Sequence, residues 1–124
     1  MRRLLPAALL LLGLSAGAAA PSEVELYAYC DASPRLDGVR RALSLAVTRR
    51  SPAVELVAVA LRKPGSRPPL APLRVEQGGL PDTYRAWYPE ALCAGPLSVE
   101  LTLREVRTGK RRTEVFLVPV QKVD

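Results

Sequence analysis

Histidine is absent from this 124-residue chain, cysteine occurs twice, and phenylalanine, tryptophan and methionine occur once each. Without an imidazole there is no side chain that ordinarily titrates near neutral pH, no histidine metal ligand and no serine–histidine triad. Two cysteines outside any C-x-x-C spacing are too few for a four-thiolate zinc site. Serines 22, 33, 44, 51, 66 and 98 lack a G-x-S-x-G elbow, and Lys63, Lys110 and Lys122 stand outside an S-x-x-K motif. Neither a glycine-rich phosphate loop nor an acidic calcium loop occurs. The carboxylate pairs Glu23/Glu25 and Glu100/Glu114 are what remains for acid–base work, and each reads more simply as a pair of solvated strand positions. The expectation is a protein that is not an enzyme and needs no cofactor or metal.

Long apolar runs are equally scarce, with one exception. Arg2 and Arg3 precede an apolar stretch over residues 4–14, broken only by Pro6 and Gly13, and small residues continue from Ser15 to Ala20. A positive start, a short apolar run and a small-residue end describe a secretory signal peptide over residues 1–20. Pro21 would make a cut after Ala20 a cleavage of a tertiary amide, which places the cut after Ala18 or Ala19. A retained anchor would need about 20 apolar residues, so no membrane span is expected to remain. Residues 21–124 are then one small domain, with 16 basic against 12 acidic groups once Arg2 and Arg3 are removed. The expected location is secreted or periplasmic, an oxidising compartment in which Cys30 and Cys93 form a disulfide. A redox or metal-binding pair is the alternative reading of these cysteines.

Beyond the leader, apolar and polar residues alternate. Val24, Leu26, Ala28 and Cys30 share one parity and Glu23, Glu25, Tyr27 and Tyr29 the other, the period of a half-buried strand. Leu43, Leu45 and Val47 repeat the pattern, although a helix over 36–46 is an alternative. Residues 54–61 are apolar except for Glu55, which reads as a more central strand. Turn signals such as Asp37-Gly38, Ser51-Pro52, Pro64-Gly65 and Thr108-Gly109 divide these runs, and residues 63–72 hold four prolines in a stiff exposed connection. The last hairpin, residues 97–106 and 111–120, is expected to close through a two-residue turn at Thr108-Gly109. That turn pairs Leu97 with Val120, Val99 with Val118 and Leu101 with Phe116; a slip by two residues keeps the same face apolar.

The segment LSLAVTRRSPAVELVAVAL, two runs joined by a short polar turn, resembles the second and third strands of the immunoglobulin-like β-sandwich modules of secreted bacterial proteins. The resemblance extends over about residues 40–120 and implies an all-β, antiparallel sandwich of about seven strands with a bias toward binding. It transfers no site residue.

Candidate binding residues fall in two groups. Arg104, Arg107, Lys110, Arg111 and Arg112 crowd the hairpin tip, where Glu105 is expected opposite Arg112 and Arg107 opposite Lys110. Such a tip meets an anionic partner or simply shields an edge with charge. Tyr84, Trp87 and Tyr88 lie between Pro81 and Pro89, either as a binding surface or as a loop packed on the sandwich end. Three functions are compatible with these groups. The first is a macromolecule-binding envelope accessory or assembly protein, whose partner is another protein or an anionic envelope polymer, nucleic acid being disfavoured. The second is a hydrolase inhibitor using a rigid loop at 63–72 or 81–89. The third is an anion-binding module using the tip.

Overall fold

The computed structural model of the protein describes residues 23–76 and 81–122. The signal peptide expected at 1–20 lies outside them. The described chain is all-β, with strands β1 (Val24–Asp31), β2 (Ala42–Arg49), β3 (Val54–Arg62), β4 (Arg74–Val75) and β5 (Thr83–Pro89). A short 3-10 helix, Glu90–Ala94, leads to β6 (Leu97–Glu105), β7 (Arg111–Val118) and β8 (Gln121–Lys122). Five strands form one sheet in the order β4-β5-β2-β1-β8, and three form the other in the order β3-β6-β7. The helix considered over 36–46 is not present: β2 begins at Ala42 and pairs along its length with both β1 and β5.

Alternation sets what each sheet contributes to the core. Ala28, Leu43, Leu45, Val47, Ala86 and Tyr88 come from the larger sheet, and Leu56, Leu61, Leu97, Val99, Leu101, Leu103, Phe116 and Val118 from the smaller. Leu92 of the 3-10 helix joins the same cluster. Cys30 and Cys93 are bridged, with Cα atoms 5.7 Å apart, so the end of β1 is tied to the helix that succeeds β5.

Three expectations need correction. The apolar run at 54–61 is an edge strand of the smaller sheet, not a central one. A bulge between Leu56 and Ala58 shifts its phase, so that Val54 and Leu56 face inward before it and Val59 and Leu61 after it. Both parities must therefore be apolar in an edge strand, and the run mimics a buried one. The final hairpin pairs two residues earlier than a two-residue turn requires: Leu97 lies opposite Val118, Val99 opposite Phe116 and Leu101 opposite Glu114. A type I′ turn needs positive φ at both central residues, but Gly109 has φ 76° and no non-glycine residue among those described has positive φ. β-Branched Thr108 favours instead a four-residue loop, 106–109, closed by Gly109 N–H donating to Glu105 O at 2.8 Å. Finally, residues 81–89 are not a loop, since β5 occupies most of the segment and lies between β4 and β2.

Tyr88 faces the core at 1% exposure, its hydroxyl 3.2 Å from that of Tyr84. Burial first, and then the hydrogen bond to Tyr84, push its phenol well above the ordinary value of 10.0. A pKa raised on folding contributes stability that is complete below the unfolded value and is lost as pH rises beyond it. The urea midpoint is therefore expected to fall between pH 9 and pH 11. Tyr88→Phe should remove most of that fall, and an equal fall in the variant would show that another group governs alkaline unfolding.

Candidate functional site

The hairpin tip does not present five free cations. Arg112 shares the inward parity of β7 with Phe116 and Val118, and at the end of the sandwich it reaches across to Glu23 before β1. It also pairs with Glu114 at 2.7 Å and with Glu105 at 3.5 Å. The bonds to Glu23 and Glu114 push its already high pKa further up. Arg104 pairs with Glu55 on β3. In the observed register Leu103, not Glu105, lies opposite Arg112, and Arg104 lies opposite Arg111. Val106 N–H donates to Ala53 O at 3.0 Å, docking the tip on the turn before β3. Only Arg107, Lys110 and Arg111 remain exposed without a carboxylate partner among the described residues. Charges turned inward at the end of an edge strand also block strand addition there.

The three aromatics of β5 are divided by the sheet. Tyr84 and Tyr88 face the core, while Trp87 lies on the opposite, outer face with Arg85. The register aligns this outer face in two rows: Tyr29, Ser44 and Trp87 are cross-strand neighbours, as are Tyr27, Ala46 and Arg85. Central strand β2 thus contributes only the small residues Ala42, Ser44, Ala46 and Thr48 to this face, and Arg85 reaches across them to Tyr29.

Beside Arg85 and Trp87 is a cavity of about 290 Å³, lined also by Asp31, Ser33, Arg35 and Glu76. Its walls are held by local bonds. Ser33 N–H donates to Asp31 Oδ1 at 2.9 Å, starting the β1–β2 connection, and Arg74 Nη1 donates to Arg35 O at 3.1 Å, holding that connection in place. The Arg85 guanidinium lies over the Trp87 ring, 5.4 Å from its centroid, and donates through Nη2 to Tyr29 Oη. A cation stacked on an indole and hydrogen-bonded to a phenol is pre-positioned.

Ser44 Oγ, Arg85 Nε and Trp87 Nε1 are buried without a hydrogen-bond partner among the described residues. All three belong to this face. No protein-family model, curated protein or solved structure matches the chain. The chemistry of the face is therefore read from its own side chains.

Of Tyr84, Trp87 and Tyr88, only Trp87 reaches this site, at 7% exposure. Arg35, Ser44 and Arg85 were missed as site residues. The signal was partly there, since Tyr27/Tyr29 and Arg85/Trp87 each alternate with apolar positions, but cross-strand register was needed to put them side by side.

Proposed function

We propose that this protein is a small secreted binding domain, not an enzyme, which engages another macromolecule through the outer face of its five-stranded sheet. The partner is a protein or an anionic polymer of the envelope. The carrying observation is the convergence of the orphaned Ser44, Arg85 and Trp87 atoms on one face. Each unpaired buried polar group costs about 1–3 kcal/mol, and Arg85 and Trp87 also line the cavity, which supports a face that receives a partner. The leader pattern and the Cys30–Cys93 bridge support an oxidising compartment. An immunoglobulin-like scaffold is supported by the strand order, in which the first, second, fourth and fifth strands share a sheet and the third, sixth and seventh form the other.

The exposed trio Arg107, Lys110 and Arg111 favours a second reading, electrostatic contact through the tip. Immobilised protein exposed to envelope and medium fractions at about 0.15 M salt separates the two. Wild type and the triple variant Arg107→Ser/Lys110→Ser/Arg111→Ser should retain one specific partner, and Tyr27→Ser/Arg35→Ser should lose it. The opposite result would transfer the function to the tip, and recovery of no specific partner would remove the binding role.

A further inference from the structure

We infer that the cavity beside Arg85 and Trp87 is a receptor for a single oxyanion, a carboxylate or a phosphate. The inference rests on the binding role proposed for this face and specifies the chemistry it recognises.

The unpaired groups are donors. Arg85 Nε–H and Trp87 Nε1–H can only donate, and Ser44 Oγ can do so. Tyr29 Oη accepts from Arg85 Nη2, which leaves its own proton free for an acceptor. A ligand group with acceptor oxygens and no proton of its own suits the two that line the cavity, Arg85 and Trp87. Charge narrows the choice further. Arg41, Arg49, Arg50, Arg62, Arg104 and Arg112 each have a carboxylate partner. Arg85, half-buried, has a phenol and an indole ring but no carboxylate among the described residues. A neutral polyol would answer the hydrogen bonds and leave this charge uncompensated, whereas an oxyanion answers both.

The opposite wall sets the stoichiometry. Arg35 adds a second guanidinium, and the carboxylates of Asp31 and Glu76 offset the pair, so the lining has no net charge. Asp31 Oδ1 is engaged by the Ser33 N–H of its own loop. The lining therefore takes a single anionic group beside Arg35 and Arg85.

Trp87 is the only tryptophan in the chain, so intrinsic fluorescence reports from inside the site. The oxidised protein is titrated at constant ionic strength with sodium acetate and with sodium phosphate, with sodium chloride and glucose as controls. A saturable change with acetate identifies a carboxylate receptor and one with phosphate a phosphate receptor; chloride and glucose should be silent. Arg85→Gln should weaken binding by about tenfold or more, the loss expected for a charged hydrogen bond. Glu76→Gln should strengthen it about threefold by removing a like charge from the rim, a gain that a merely structural role would not produce. If Arg85→Gln fails to fold, the exposed Arg35→Ser serves in its place and should also weaken binding.

The same non-saturating response to every sodium salt, or unchanged titrations in the arginine variants, would overturn the oxyanion assignment. Silent anion titrations combined with partner capture that still depends on Tyr27 and Arg35 would defeat the oxyanion chemistry alone. Saturable anion binding without a captured macromolecule would defeat the larger binding role alone.

Discussion

With Cys30 and Cys93 both replaced by alanine, the domain is expected to lose about 4 kcal/mol of stability, because the bridge closes a long loop and restricts the unfolded chain. At about 4–8 °C per kcal/mol for a domain near this size, the midpoint of thermal unfolding should fall by about 15–30 °C. The bridge spans a sequence separation of 63, which encloses β2, β3, β4 and β5 and with them most of the larger sheet. Cys30 is buried, and Leu92, beside Cys93, belongs to the core cluster, so the tether also holds the 3-10 helix against the sandwich end. Circular dichroism melts of oxidised wild type and the double alanine variant give the answer. A loss below about 1 kcal/mol would mean that the unfolded chain is already restrained without the bridge.

Leu101→Ala should cost about 3 kcal/mol, whereas Leu117→Ala on the neighbouring strand should change stability by less than about 0.5 kcal/mol. Leu101 is fully buried between the sheets, while Leu117 is 50% exposed on the outer face of the smaller sheet. The contrast tests the hairpin directly. A one-residue slip of β7 would exchange the faces of Phe116 and Leu117 and make the second substitution costly too. Urea unfolding of both variants distinguishes the registers, and similar losses in the two would refute the observed pairing.

Much of the architecture was legible because burial on one side of a strand leaves a period of two. The inward rows at Val24/Ala28/Cys30, Leu43/Leu45/Val47 and Leu97/Val99/Leu101 are visible as alternation and are buried in the fold. The disulfide was legible because two cysteines have one intramolecular pairing. Residues 54–61 misled because a bulge places both parities of an edge strand inward in turn. Residues 81–89 misled because flanking prolines and three aromatics resemble a loop, while pairing on both sides makes them a strand.

The site itself was less legible. The basic tip stood out as a cluster in sequence, yet Arg104 and Arg112 are occupied by Glu55, Glu23, Glu105 and Glu114, of which Glu55 and Glu23 are distant in the chain. Tyr29, Ser44 and Trp87 are scattered widely along the sequence and become neighbours only through pairing on both edges of β2.

By itself the sequence determined an all-β chain with one bridge and ruled out imidazole chemistry, since side-chain type and alternation are local properties. Register, the edge position of β3 and the grouping of unpaired donors on the face of Arg85 were decided only by the tertiary structure. Each depends on which strand lies next to which, and pairing of that kind between distant segments leaves no periodic mark in either one.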